Sequence, residues 1–322
     1  MNIKSPVLSY KFRMPGLSTA ARTCILAAIL LPLLQGCAST QPDGARSFPT
    51  AKDAAEALTG ALRAHDKAQL LAIVGPDGQD IISSGDEVAD RARAAKFLAL
   101  YDQKHALAPN GPNSMTLEVG NDNWPLPVPI VFKNGAWSFD SEAGKEEILN
   151  RRIGENELSV IQVCKAIADA EKEFALQTVD ADGVNEYARQ FISDEGKHNG
   201  LYWPTAEGEK PSPLGEFAAA AAAEGYSRKA DGPTPYHGYC YRILLAQGPH
   251  APDGALNYVE NGKMALGFAI VAYPADYGNS GIMTFTMGPD GIVFQKDLGE
   301  DTEKLAQEMK EFDPGEGWTK SE

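Results

Sequence analysis

An α+β fold in two consecutive units is predicted by three observations. Amphipathic helical stretches between residues 50 and 105 lead into apolar runs joined by Asn134-Gly135; a longer amphipathic stretch, RRIGENELSVIQVCKAIADAEKEFA, fills 151–175; and four runs rich in β-branched and aromatic residues follow it. Helix first and antiparallel strands after, twice over, argues for helices laid on one face of each sheet. The 322 residues are enough for two domains at about 100–200 residues each.

The N-terminal segment carries Lys4, Lys11, Arg13 and Arg22 and no acid, then the apolar run CILAAILLPLL from Cys24 to Leu34, then Gln35, Gly36 and Cys37. A basic lead, a short apolar core and small residues at a cut site describe a secretory signal. Eleven apolar residues interrupted by Pro32 fall short of the ~20 a bilayer-spanning helix needs. Leu34-Gln35-Gly36-Cys37 resembles the lipobox of bacterial lipoproteins, which implies cleavage after residue 36 and acylation of Cys37. Ala38 and Ser39 follow without the aspartate that marks inner-membrane retention, so that resemblance implies an outer-membrane anchor facing the periplasm, with the polar residues 37–47 as a tether.

Without residues 1–36 the chain holds 25 basic against 44 acidic residues, a net −19, against −15 for the whole sequence. That field repels nucleic acid and anionic lipid surfaces, and neither is expected as a direct partner. Only Cys164 and Cys240 remain to pair. An oxidising compartment favours their disulfide. Strand alternation opposes it: Cys240 shares a face with Arg242 and Leu244, while Tyr239, Tyr241, Ile243 and Leu245 make the expected core face.

In the first domain, 48–143, TAKDAAEALTGALRAHD has apolar positions at Ala54, Leu58, Ala61 and Leu62, and Thr50 stands ready as its N-cap. VADRARAAKFLALYDQKH reads as a second helix, SMTLEVG as a strand, and PVPIVFKNGAWSFD as a tight hairpin about Asn134-Gly135. Trp124-Pro125-Leu126-Pro127-Val128-Pro129 cannot donate a full ladder and is expected at a sheet edge. This order resembles the cystatin-like cone, in which a curved sheet can wrap a pocket.

In the second domain, 144–322, Val160, Ile161, Val163, Cys164, Ile167, Ala168, Ala170 and Phe174 share one side of a helical wheel, with Gln162, Lys165, Asp169, Lys172 and Glu173 on the other. Asn156 is the expected N-cap and Gly154 the expected break, since glycine costs about 1 kcal/mol against alanine inside a helix. YCYRILLAQ, GFAIVAYP, GIMTFTMG and GIVFQKDLG read as strands, the last two joined by Gly288-Pro289-Asp290-Gly291. A closing helix, DTEKLAQEMKEF, offers Leu305, Met309 and Phe312 as its contact stripe.

The run ENELSVIQVCKAIADAEKEFA is similar to the helix of type IV pilins and pseudopilins, where an Asn-Glu pair precedes Ser, Ile, a basic residue, Ile and Ala at the offsets of Asn156, Glu157, Ser159, Ile161, Lys165, Ile167 and Ala170. The likeness covers about 153–295 and implies a long helix packed on an antiparallel sheet. Charged GKEEILNRRIG stands where pilins carry a hydrophobic half-helix, so the head fold is implied and the filament is not. SSGDEVADR, NDNWPLPVPIV, RRIGENEL, GLYWP, SPLGEF, GFAIVAYPADYG and FQKDLG together resemble the bacterial family called domain of unknown function 2950, a resemblance that brings no activity with it.

Site candidates are few. His65, His105, His198, His237 and His250 lack metal-ligand spacing, and Thr178-Val-Asp180-Ala-Asp182-Gly183 lacks the final acid of a calcium loop, so neither a metal nor another cofactor is expected. No Gly-x-Ser-x-Gly elbow surrounds Ser84. An aromatic cluster, Tyr202, Trp203, Tyr236, His237 and Tyr239 with Arg242 beside it, suits a partner, sugar or peptide face. The sequence points first to a non-catalytic envelope lipoprotein that binds another envelope protein, then to a small-ligand or glycan binder using these aromatics or a first-domain pocket, and third to a cell-wall hydrolase. The oligomeric state stays open.

Overall fold

A computed structural model describes residues 44–178, 183–206, 208–227 and 234–321. Cys37, Asp180 and Asp182 lie outside the described residues. Residues 41–322 form one compact unit, with two hydrophobic cores along it. The architecture is α+β, helices laid on antiparallel sheets.

The N-terminal half starts with α1 (Ala51–Arg63), whose cap Thr50 accepts from the Asp53 N–H, and α2 (Lys67–Val74), capped by Asp66. A short α3 (Gln79–Ile82) and α4 (Glu87–Gln103) follow. The side chain of Asp86 caps α4 by accepting from the N–H groups of Val88 and Ala89, satisfying donors that a helix start leaves open. Strands β1 (His105–Pro109), β2 (Ser114–Val119), β4 (Ile130–Lys133) and β5 (Ala136–Phe139) lie in that order, all antiparallel, with β3 (Trp124–Pro125) paired to β2. The proline run lies along the sheet edge through β3, the Leu126 N–H donated to the Leu117 carbonyl and the Pro129 carbonyl that accepts from the Asp140 N–H, with no N–H of its own to donate at its prolines. Asn134 and Gly135 both have positive φ, 55° and 82°, as the β4–β5 turn demands. Helices α1 and α2 pack on the β4–β5 end and α4 on the β1–β2 end.

Helix α5 runs from Ser141 to Gln177, 37 residues without a break, about 55 Å at 1.5 Å per residue. The break expected at Gly154 is absent, and Asp140, not Asn156, caps the helix. A glycine penalty of about 1 kcal/mol is small beside tertiary contacts on both sides of it. Helix α5 belongs to both cores. Near its start, Gly144 lies so close to the Val128 backbone that a Cβ would approach to 2.6 Å, and Ile148 packs on the first core. From Val160 to Phe174 its apolar side enters the second core, and Gln162, Lys165, Asp169 and Lys172 stay exposed, as the wheel predicts. Glu171 departs from the wheel: it is wholly buried, takes the Ala188 N–H at 2.8 Å, and burial pushes its carboxyl up to about 8.

Helix α6 (Gly215–Glu224) precedes β6 (Tyr239–Leu244). Two small pairs, β7 (Ala246–Gln247) with β8 (Leu256–Asn257) and β9 (Val259–Glu260) with β10 (Lys263–Met264), lead to β11 (Ala269–Pro274), β12 (Met283–Met287) and β13 (Val293–Asp297). Helix α7 (Thr302–Glu308) and β14 (Thr319–Lys320) close the chain. The main sheet has the order β14-β13-β12-β11-β6, antiparallel throughout. Glu157 fastens α5 to its end, accepting from the N–H groups of Ile282 and Met283 at 3.0 Å each.

Both faces of this sheet are covered, which corrects the expected one-sided alternation. Arg242 donates to the Ala306 carbonyl on α7, Leu244 is buried, and Leu245, expected in the core, is 41% exposed. The α7 stripe is corrected in part: Leu305 is 43% exposed and Thr302 and Ala306 face inward in its place, while Met309 and Phe312, just beyond the helix end, do pack on the second core. Cys164 and Cys240 are both buried thiols with no disulfide between them. Cys164 belongs to α5, on the face where Tyr239 reaches Glu157, whereas Cys240 alternates with Tyr239 and shares the α7 side with Arg242. Burial pushes the Cys164 thiol up to about 12.

Candidate functional site

A cavity of about 730 Å³ opens between the helices and sheet of the N-terminal half. Its origin is local. Helix α4 buries only Ala89 and Tyr101; Ala94, Phe97 and Leu100, spaced three apart on one face, are half-buried and line the hollow, with Phe97 and Leu100 at the edge of the first core. Across from them lie Leu58 and Leu62 of α1, Leu70 of α2, Val119 of β2, Phe139 of β5 and Ile148 of α5. These are the apolar, concave walls typical of small-molecule sites, whose volumes run about 300–1,000 Å³.

Where the cavity meets α5 its wall turns polar. Arg93 of α4 donates to Asn156 Oδ1 at 2.7 Å, with Asp90 and Glu155 carboxylates 3.6 and 3.5 Å from its guanidinium. Asn156 in turn donates to the Ser280 carbonyl. Arg152, only 5% exposed, donates to the carbonyls of Asp80 and Ile81 at 2.6 and 2.7 Å and to the side-chain oxygen of Asn279. Asn279 bonds back to the Ser83 carbonyl and the Asp276 carboxylate. Asp86 reaches across with its second oxygen to Tyr226 and to the Gly238 N–H, each at 2.9 Å. The segments 83–91, 151–158 and 272–280 thus meet at one polar seam between the two cores.

The aromatic candidates fall into separate places: Tyr236, His237 and Tyr239 lie together beside the seam, with the Tyr236 and His237 rings 4.2 Å apart and the backbones of Tyr236 and Tyr239 bonded to each other, while Tyr202 and Trp203 belong to the loop beyond α5. Trp203 is buried, stacked on His198 at 4.3 Å and edge-on to Phe174. Tyr202 is half-buried in the loop, its N–H bonded to Phe191. Tyr236 packs against Phe217 and Tyr226, and His237 lies 3.7 Å from the Glu224 carboxylate. Tyr239 is fully buried and donates to the Met283 carbonyl. Arg242 serves the C-terminal end of α7. Trp203 and Tyr239 therefore lie beneath the surface the sequence reading placed them on. Sequence reading missed Phe97, Leu100, Arg93 and Arg152; the available signal was a pair of arginines among apolar positions of two helices.

A match to one protein family runs over residues 45–321, almost every described residue; its description is "Protein of unknown function (DUF2950)". The chain belongs to the DUF2950 family. No curated protein and no solved structure matches it. SSGDEVADR supplies Ser83, Asp86 and Asp90 to the polar seam, RRIGENEL supplies Arg152 and Asn156, and GFAIVAYPADYG supplies Asp276, which accepts from Asn279 just beyond it. Among the described residues of this DUF2950 chain no helix is long and apolar enough to cross a membrane.

Proposed function

We propose that this chain is an exported, lipid-anchored binding protein that holds an apolar small molecule in the cavity of its N-terminal half. The apolar cavity of about 730 Å³ carries this reading. The leader and the lipobox-like Cys37 support the envelope location, and the cystatin-like order of helices and strands supports a pocket-bearing cone.

The assembly reading has less behind it. The two most exposed leucines of α5, Leu158 at 68% and Leu176 at 73%, share an angular position but lie about 27 Å apart along the axis, and isolated leucines of this kind are ordinary surface. A hydrolase would need two carboxyls free to act on a substrate. Of the four acids that line the cavity, Asp90 and Glu155 face Arg93, Asp90 also holds the Ser84 hydroxyl at 2.7 Å, and Glu87 and Asp122 are exposed residues.

Titration of residues 41–322 with a homologous series of n-alkyl compounds tests the binding reading. Affinity should rise roughly fourfold per added methylene, the equivalent of about 0.8 kcal/mol, until the cavity is filled. Absence of binding across the series, or affinity independent of chain length, would overturn it.

A further inference from the structure

Granted the binding reading above, on which this inference rests, the wall of the cavity identifies the polar end of its ligand. The cavity is lined by six lysines or arginines against four aspartates or glutamates, in a chain that carries 29 basic and 44 acidic residues. Of these six, only Arg152 is buried. Every hydrogen bond its guanidinium makes goes to a neutral oxygen, and its buried Nε has no partner.

The nearby acids are engaged elsewhere. Asp80 is paired with Lys145, Asp90 with Ser84 and Arg93, and Asp276 with Asn279. Arg93 adds a second cation beside Arg152, and burial lowers the Arg152 pKa, an effect that Asp90, Asp80 and Asp276 offset in part without any of them forming an ion pair with it. Buried charges are normally paired, so a buried guanidinium without a carboxylate partner, at the wall of an apolar cavity, is the complement of an anion brought by a ligand.

We propose that the cavity takes an amphipathic anion, an alkyl chain ended by an acidic head, with the chain along Leu62, Phe97, Leu100 and Ile148 and the head at the Arg152–Arg93 end. A long-chain carboxylate is the simplest member of that class. Asp90 and Glu155 neutralise part of the Arg93 charge, so Arg152 supplies most of the preference for an anion.

The test is calorimetric titration of residues 41–322 with dodecanoate and with dodecanol at neutral pH. Dodecanoate should bind roughly tenfold or more tightly than dodecanol, as charge-assisted hydrogen bonds require. Arg152→Gln should remove most of that preference while leaving dodecanol affinity within about twofold, and Arg93→Gln should reduce it in part. Equal binding of acid and alcohol would overturn the anionic head and leave the binding reading standing. Binding of neither would overturn both. A preference for the acid that survives both substitutions would overturn its assignment to these arginines. If Arg152→Gln does not fold, the acid-to-alcohol ratio of the unaltered protein and its change in Arg93→Gln decide the question.

Discussion

The Gly238 N–H donates to Asp86 Oδ2 at 2.9 Å, joining residues 152 positions apart. The same carboxylate caps α4 through its other oxygen and accepts the Tyr226 hydroxyl. Gly238 has φ 75°, and a Cβ there would approach the Asn156 amide nitrogen to 2.5 Å, so a side chain is excluded by conformation and by space. One carboxylate thus holds the start of a cavity helix and the entry to the second sheet.

Asp86→Ala should therefore cost about 2–4 kcal/mol, the sum of a lost helix cap and an unsatisfied buried N–H. Tyr226→Phe, which removes one donor to a charged acceptor, should cost about 1.5–3 kcal/mol. Urea unfolding monitored by circular dichroism measures both. An Asp86→Ala change within about 0.5 kcal/mol of the unaltered protein, the range of ordinary surface substitutions, would mean the junction contributes little.

Gly154 has open space around the position a Cβ would occupy and sits mid-helix. Gly154→Ala should raise stability by about 1 kcal/mol. A destabilising result would show that the helix bends or breaks there after all.

Glu171 carries a pH signature. Its folded-state pKa is raised from 4.5 to about 8 by burial, so the folded chain keeps a proton that the unfolded chain has released. The stability of this neutral form is fully present below pH 4.5 and is lost as pH rises toward about 8, at up to about 1.4 kcal/mol per pH unit. Glu171→Gln keeps an acceptor for the Ala188 N–H and has no proton to lose. The variant should therefore gain on the unaltered protein steadily across that window in denaturant titrations. Parallel pH profiles would contradict the assignment.

Cys164 and Cys240, buried on opposite faces of the main sheet, should both resist alkylation in the folded protein and both react after denaturation without reductant. Mass spectrometry counts the adducts. Absence of labelling at both sites in denaturant would indicate a disulfide.

The sequence makes some elements legible and hides others for definite reasons. Thr50, Asn134-Gly135 and the 160–174 wheel are legible because each depends on neighbours in sequence: a cap, a turn, a helical period. The unbroken course of α5 is hidden, since Gly154 is overruled by packing on both sides of it. Helix α6 has no counterpart among the elements read from the sequence, although alanine, which fills most of it, has the highest helix propensity of any residue type. The two-sided burial of the main sheet depends on α7 folding back from the far end of the chain. The cavity is the least legible feature, because an apolar face left half-uncovered reads like one that is sealed, and Phe97 and Leu100 pack on the first core while they also line the hollow. Arg152 and Arg93 read as the wet side of amphipathic helices, and only the meeting of α3, α4, α5 and the 276–281 turn encloses them.

The central claim is that the hollow between α4 and the first sheet holds a ligand's apolar chain. Nuclear Overhauser contacts between a carbon-13-labelled dodecyl chain and methyl-labelled residues 41–322 test it most directly. The account predicts contacts from the chain to the methyls of Leu62, Leu100 and Ile148, with its polar end nearest the α5 wall. Contacts only to exposed methyls such as Leu158 and Leu176, with the cavity methyls unperturbed at saturating ligand, would contradict it.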